Sequence, residues 1–353
     1  MRRTHTYRTK LFATIAAGAL TISLAACSND SEEETTATSA AESATSEAQD
    51  DGQWPRTITT LNGNGEETEV TIESKPENIV STSVTLTGGL LAIDAPVKAT
   101  GTVNNRAPLA NQDGFFTRWA DEVESKGVKS IYVGEPNVEA VLAEAPDLVI
   151  ISSAGQDSAI DLYDQLADTV PTVVIDYSKQ SWEETAEQLG EATGNEKGAE
   201  DAIKRYEDRV EEVKNAINAP EQPVNIVSLA QEGGGLNFWT KDSAQGRILT
   251  DLGFEVAQPD ESLVDTSSNF AKRKDTRPVS AENVAPALTG LTVFALNADG
   301  KQSPSEVLKE NPQLATVPAV ESDSVYDLQP DTFRIDYFSA MNFLDEIEAF
   351  FGK

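Results

Sequence analysis

The sequence predicts an α/β fold with two lobes, each built on a mostly parallel sheet flanked by helices and joined by one long connecting helix. Patterns of buried strands alternate with helical patterns both before and after residues 195–217. Within that stretch apolar residues recur every three or four positions, which is the period of one helix face: Ala199, Ile203, Tyr206, Val210, Val213 and Ile217. Such a helix would span roughly 35 Å. An ordinary amphipathic helix packed on one domain would show the same pattern.

Residues 1–26 have the pattern of a bacterial lipoprotein signal peptide. A basic beginning is followed by an apolar run at 11–24 and by small residues before Cys27, the only cysteine of the chain. We therefore predict that Cys27 is lipidated. Residues 27–53 are rich in Ser, Thr, Ala and Glu, which predicts a disordered acidic tether. A lone membrane helix is the alternative, although the apolar run is short and broken by Thr and Ser.

An N-terminal α/β lobe is predicted over residues 54–194. A hairpin at 54–72 turns at Asn-Gly-Asn-Gly, and buried strands are expected near 79–82, 97–101, 131–133, 148–151 and 172–175. Helices are expected near 90–93, from 137, at 158–167 and at 181–193. Residues 102–124 mix arginines with aromatics, which is typical either of a binding surface or of a loop held down by its aromatics.

A C-terminal α/β lobe is predicted over residues 218–353. Strands are expected at 226–229, 254–257, 291–296 and 324–328, with a polar loop at 258–277 and helices at 243–252, from 280, near 305–309 and at 335–350. The two lobes repeat one unit. Glu139 and Glu282 each lie two residues after a good N-cap residue, and in both lobes the helix leads into a buried strand.

Composition excludes several kinds of chemistry. The only histidine, His5, lies within the signal peptide, so the exported chain has no imidazole for a catalytic triad or a metal. The net charge of −32 becomes more negative when the basic signal peptide is removed, which argues against nucleic acid as a partner. We expect no catalytic residue and no metal ligand, although a hydrolase that uses paired carboxylates remains an alternative.

Several short motifs occur together in the order found in one family. They lie at residues 105–109, 112–116, 134–139, 146–150, 236–240, 243–246 and 332–337. Over these motifs the chain resembles the class III solute-binding proteins of ABC transporters, the iron-siderophore and cobalamin type. The resemblance begins near residue 79 and continues to the C-terminus.

The resemblance implies that the ligand is a ferric siderophore, and the motifs favour a catecholate of the enterobactin type. Such a complex carries three negative charges and three aromatic rings, so guanidinium groups and an aromatic platform suit it. Its iron is already coordinated, so we expect no bond from the protein to iron and no cofactor. The implied contacts are Arg106, Trp239, Arg273, Arg334 and Tyr337. Alternatively, Arg334 caps the last helix, Trp239 belongs to the core and Arg273 is part of a solvated basic run.

The resemblance also implies a partner, an ABC permease dimer whose arginines would receive Glu139 and Glu282. A glutamate in a first helical turn is favoured by the helix dipole in any case, so this pattern has a purely structural explanation too. We expect a monomer that is anchored to the cell membrane by lipid on Cys27, in the periplasmic space or on a Gram-positive surface. Ferric hydroxamates, mixed siderophores and haem remain alternative ligands.

Overall fold

The computed structural model describes residues 52–104, 109–155, 157–230, 233–297, 300 and 302–353. The predicted signal peptide, Cys27, the acidic tether and Arg106 lie outside the described residues. The predicted hairpin is confirmed, with β1 (Arg56–Leu61) and β2 (Glu67–Ile72) paired antiparallel. Within the described residues, no helix is both long and apolar enough to cross a membrane.

The N-terminal lobe is built on a sheet of five strands, all parallel, in the order β5-β4-β3-β6-β7. Its strands are β3 (Ile79–Ser81), β4 (Val97–Thr102), β5 (Lys129–Val133), β6 (Leu148–Ser152) and β7 (Thr172–Ile175). Its helices are α1 (Val84–Ala92), α2 (Ala120–Lys126), α3 (Val138–Ala143), α4 (Tyr163–Ala167) and α5 (Trp182–Thr193).

The hairpin covers the outer edge of this sheet through one side chain. The Thr60 hydroxyl accepts a hydrogen bond from the Val174 N–H at 2.7 Å and donates to the Val174 carbonyl at 3.1 Å. Both backbone groups of Val174 would otherwise be unpaired at the edge of β7. The hairpin therefore prevents this edge from pairing with another chain.

The C-terminal lobe has a mixed five-stranded sheet in the order β10-β9-β8-β11-β12. Strands β8 (Val224–Leu229), β11 (Thr292–Leu296) and β12 (Val325–Leu328) are parallel, whereas β9 (Leu236–Trp239) and β10 (Thr276–Val279) run antiparallel to their neighbours. Its helices are α7 (Ala244–Asp251), α8 (Val284–Ala287), α9 (Pro304–Glu310), α10 (Pro318–Glu321) and α11 (Tyr337–Phe351). The prediction of a strand at 254–257 was wrong, because only a single bridge between Val224 and Val256 forms there.

The connecting helix is α6 (Glu196–Ala216), one residue shorter at each end than the predicted range. The predicted apolar stripe faces inward, and Tyr206 at its centre is buried. The Tyr206 hydroxyl donates to Asp251 of α7 at 2.8 Å, and Arg209 forms ion pairs with Asp345 and Glu348 of α11. These polar contacts fasten α6 to the C-terminal lobe. A hydrogen bond from Arg205 to the Ala92 carbonyl at 3.2 Å and the edge-on contact of Tyr206 with Trp182 of α5 fasten it to the N-terminal lobe.

One apolar core runs beneath both lobes. It joins Leu90 of α1 and Leu189 of α5 to Tyr206 of α6 and, beyond them, to Phe294 and Phe343 of the C-terminal lobe. Each lobe also has a separate core on the other face of its sheet. Because the lobes share packed side chains, a wide hinge opening would expose core residues, which favours small relative movements.

The aromatic residues of the described part of this loop, residues 109–124, belong to this core. Phe115, Phe116 and Trp119 are all buried, and both phenylalanine rings contact Trp119, with centroids 6.1 and 5.8 Å apart. Arg118, which lies between them, reaches across to Asp336 at the start of α11. Of the two interpretations of this stretch, a loop held down by its aromatics agrees with the structure.

Candidate ligand site between the lobes

The topology of the N-terminal sheet indicates where a ligand would bind. From β3 the chain continues to β4 on one side, whereas β6 continues to β7 on the other, so the strand order reverses between β3 and β6. Ligands of open α/β sheets bind beyond the carboxyl ends of the strands at such a switch point. Ser83 follows β3 and Asp157 follows β6, and the two side chains meet there through a hydrogen bond.

Asp157 is the centre of a buried polar cluster at this switch point. Its side chain accepts hydrogen bonds from the Ser83 hydroxyl at 2.5 Å and from the Tyr177 hydroxyl at 2.9 Å, and the residue is 9% exposed. Gly155 has a φ of +79°, and a Cβ there would lie 2.0 Å from the Tyr177 hydroxyl. Glycine is therefore required for the loop after β6 to approach Tyr177 so closely.

The C-terminal half of the site is an aromatic cluster with a guanidinium group beside it. Trp239 is buried at the end of β9, its Nε1 donates to the Ser228 hydroxyl at 3.1 Å, and its ring contacts Phe333 edge-on, with centroids 5.4 Å apart. The Arg273 Cζ lies 5.8 Å from the ring centroids of both Trp239 and Phe270. The two alternatives for Trp239, core residue and ligand platform, are therefore compatible, because its ring is packed and still adjoins a cationic side chain.

Arg273 and Arg334 differ in how their charge is balanced. Arg273 is 46% exposed and forms a two-point ion pair with Asp275, with distances of 2.8 and 2.5 Å. Arg334 forms no side-chain hydrogen bond or ion pair with another described residue, and its positive charge favours the ionised form of the Tyr177 phenol. Burial raises the pKa of Tyr177, as do the charge and hydrogen bond of Asp157, whereas Arg334 lowers it. Arg334 therefore carries a guanidinium that no described acidic side chain pairs with.

The structure also decides against Arg334 as a helix cap. The N-cap of α11 is Asp336, whose side chain accepts from the Ser339 N–H at 3.0 Å, while only the backbone carbonyl of Arg334 is engaged by the Ser339 hydroxyl. The Arg334 guanidinium therefore remains available to a ligand.

Gln245 supports this segment and was not singled out as a site residue by the sequence analysis. Its buried Nε2 donates to the carbonyl oxygens of Thr332 at 2.9 Å and Phe333 at 3.0 Å. The residue lies in the first turn of α7, two residues after the N-cap Ser243. A buried amide that spans two consecutive carbonyls fixes the backbone from which Phe333 and Arg334 project.

Tyr337 lies apart from the aromatic cluster. Its hydroxyl accepts a hydrogen bond from Arg205 Nε of α6 at 3.0 Å, and its ring contacts Trp182 of α5 edge-on at 5.7 Å. These contacts occupy the phenol on the side of the connecting helix. The structure therefore does not bring Tyr337 together with Trp239 and Arg273, and we omit it from the proposed contacts.

Glu139 and Glu282 are both exposed in the first helical turn that follows a strand and a cap residue. Glu139 lies in α3, where Asn137 accepts from the Ala140 N–H at 2.8 Å, and Glu282 lies in the short 3₁₀ turn that precedes α8. Neither carboxylate forms an ion pair with any residue that the structure describes. Val133, at the end of β5, is 61% exposed close to Glu139 in sequence. Permease docking through these glutamates stays a prediction.

Comparison with known proteins identifies the class. Residues 79–332 match the family model described as Periplasmic binding protein, and the chain belongs to this family, whose members bind solutes and are not enzymes. Over 300 residues the chain is 43% identical to the ferric enterobactin-binding periplasmic protein FepB of Escherichia coli O6:H1, covering 84% of this chain and 91% of the relative. It is 26% identical over 293 residues to the probable siderophore-binding lipoprotein YfiY of Bacillus subtilis, covering 80% and 84% of the two chains.

Solved structures support the two-lobe fold. The crystal structure of holo-ViuP superposes with a TM-score of 0.73 at 32% identity, covering 86% of this chain and 97% of that chain. Staphylococcus aureus SirA, in complex with staphyloferrin B, superposes with a TM-score of 0.61 at 20% identity, covering 83% and 97%. The second likeness shows the fold alone.

Proposed function

We propose that the protein is the receptor of an ABC importer and captures a ferric siderophore, a catecholate of the enterobactin type. The observation that carries the proposal is the row of aromatic and guanidinium side chains in the C-terminal half of the candidate site. Arg273 lies over Trp239, Trp239 contacts Phe333, and Arg334 is the next residue along the chain. The 43% identity to a ferric enterobactin-binding protein supports the same ligand class.

This row suits the chemistry of a ferric tris-catecholate. Its rings can stack on the guanidinium planes and pack against the aromatic cluster, and its catecholate oxygens can accept hydrogen bonds from arginine. The siderophore supplies all the ligands to iron. Within the described residues, no group of three His, Cys, Asp or Glu side chains is arranged to hold a metal ion.

Local charge matters because the whole chain is strongly acidic, with a net charge of −32. A trianion approaching such a protein is repelled unless cationic groups dominate the cleft. Arg334 supplies a guanidinium without an acidic partner among the described residues, whereas Arg273 must first give up part of its interaction with Asp275. We therefore assign Arg334 the larger share of ligand affinity, with Arg106 as a further contact implied by the family resemblance.

Delivery to a permease completes the proposed function. Lipid on Cys27 would hold the receptor at the outer face of the cell membrane as a monomer, and Glu139 and Glu282 would meet arginines of the permease dimer. Charge reversal, Glu139→Arg with Glu282→Arg, should abolish iron uptake by cells while leaving siderophore affinity within about twofold. Loss of affinity in this variant would contradict a pure docking role.

The ligand is tested by quenching of tryptophan fluorescence with ferric enterobactin, a ferric bis-catecholate and ferrichrome. Ferric enterobactin should quench saturably, and Arg334→Ala should weaken its binding by about 10- to 100-fold, since a hydrogen bond to a charged group contributes roughly 1.5–3 kcal/mol. Arg247→Ala is the matched control, because Arg247 is an exposed arginine of α7 whose ion-pair partner is Glu184. It should leave affinity unchanged.

Two other outcomes would change the proposal. Quenching by ferrichrome alone would keep the receptor but overturn the arginine pocket. The absence of a response to all three complexes, in fluorescence and in equilibrium dialysis of iron, would overturn the siderophore function.

A further inference from the structure

The N-terminal half of the site contains a negative charge that an anion receptor would not be expected to place there. The two oxygens of Asp157 accept hydrogen bonds from the neutral hydroxyl groups of Ser83 and Tyr177, and Oδ2 also accepts a long one, 3.5 Å, from the Thr85 N–H in the first turn of α1. No lysine or arginine among the described residues forms an ion pair with this carboxylate. Its hydrogen bonds are satisfied, but its charge is not neutralised by a direct partner.

The position of Asp157 makes this charge relevant to ligand binding. It lies beyond the carboxyl end of β6 at the switch point of the sheet, where open α/β sheets bind ligands. Its hydrogen-bond partner Tyr177 follows β7, the next strand of the sheet. The loop is shaped for this contact, because only a glycine at position 155 leaves room for the Tyr177 hydroxyl.

We infer that Asp157 is a specificity-determining residue, which lowers affinity for ferric siderophores in proportion to their negative charge. The inference rests on the proposed function and deepens it, since it concerns which charge state of the ligand the same site prefers. The fixed carboxylate repels an anionic ligand directly.

Hydrogen-bond direction supports this arrangement. Asp157 can only accept, so Tyr177 must donate its proton to the carboxylate. Tyr177 thus holds the Asp157 carboxylate in place without neutralising its charge. A fixed negative charge of this kind repels a trianion more strongly than a monoanion.

A purely structural role for Asp157 predicts something different. If the carboxylate served only to tie the loops after β3, β6 and β7 together, its replacement would weaken binding of all ligands to the same degree. A charge-selective role predicts that removal of the charge strengthens binding, and that the gain increases with ligand charge. The ratio between ligands therefore separates the two roles.

The test compares Asp157→Asn with wild type for ferric enterobactin, with three negative charges, and a ferric bis-catecholate, with one, by equilibrium dialysis of iron. We expect Asp157→Asn to bind ferric enterobactin about tenfold more tightly and the bis-catecholate within about threefold. Tyr177→Phe, which removes the hydrogen-bond donor and keeps the charge, should give no gain. Asp157→Ser repeats the comparison if thermal unfolding shows that asparagine is not tolerated.

If wild type binds ferric enterobactin but both charge-free variants bind it no more tightly than wild type does, the inference is overturned and the receptor function stands. Equal gains for the two ligands would also overturn it. Failure of wild type to bind either complex would overturn the proposed function itself, together with the inference that depends on it.

Discussion

The buried ion pair between Arg118 and Asp336 allows a quantitative test of how the lobes are held together. Arg118 belongs to the N-terminal lobe and is 1% exposed, and Asp336 caps α11 of the C-terminal lobe and is 4% exposed. Arg118 Nε lies 3.1 Å from both carboxylate oxygens, and Nη2 lies 2.9 Å from Oδ2. Since both charges are buried, either one left alone would be uncompensated.

The magnitude follows from that burial. Removing one partner of a buried pair costs about 3–5 kcal/mol, whereas replacing both with neutral groups is often close to neutral. For a fold of about 300 residues, with an unfolding entropy near 2.1 cal/mol/K per residue, 3–5 kcal/mol corresponds to about 5–8 °C in Tm. Arg118→Met should show this loss. Arg118→Met/Asp336→Asn should recover most of it, because asparagine is also a good N-cap.

The assay is thermal and urea unfolding of wild type, both single variants and the double variant. Lys204→Met is the matched control, because Lys204 and Asp208 form an exposed pair at 2.8 Å that should contribute less than about 1 kcal/mol. If the loss in the double variant equals the sum of the two single losses, the charges are not coupled and the reasoning is refuted.

Three further predictions concern single positions. Gln245→Met, of similar length but without donors, should weaken ferric enterobactin binding about tenfold in dialysis, because the backbone before α11 loses two hydrogen bonds. Burial raises the pKa of Glu346 to about 7, so the folded state binds more protons than the unfolded chain and its stability falls as pH rises through 7. Glu346→Gln should reduce this fall in urea unfolding between pH 5 and 8, whereas the exposed Glu310→Gln should not. Gly88→Ala should cost about 1–3 kcal/mol in urea unfolding, since its Cβ would lie 2.3 Å from Asp336 Oδ2, and an unchanged midpoint would contradict that contact.

Local periodicity was enough to predict the elements whose pattern is complete within one segment. The stripe of α6 and the turn of the first hairpin depend only on neighbouring residues, and both are confirmed. Pairing between distant segments was harder to predict from the sequence. Residues 254–257 have the composition of a strand, but Val256 meets β8 at a single bridge, so no ladder forms. The antiparallel placement of β9 and β10 within a mostly parallel sheet also depends on distant partners.

The same distinction applies to the candidate site. Arg334 and Trp239 were found because they lie in short motifs shared with a family, and Arg273, in a short basic run outside those motifs, was assigned from the same resemblance. Asp157 and Gln245 were missed because their roles depend on residues far along the chain. Asp157 meets Ser83 across 74 positions, and Gln245 meets Thr332 across 87. The signal that could have found Gln245 is its place in the family motif at residues 243–246.

Asp336 explains why two residues of one motif point to different parts of the molecule. It is tied to Arg118 of the other lobe and caps α11 at the same time, so the backbone at this position is fixed from both sides. Tyr337 begins the helix and faces α6 through Arg205, whereas Arg334 precedes the cap and its side chain forms no ion pair with a described residue. Motif membership alone would assign both side chains to the ligand. The buried cap between them separates their directions, so only Arg334 remains free to neutralise an anion in the cleft.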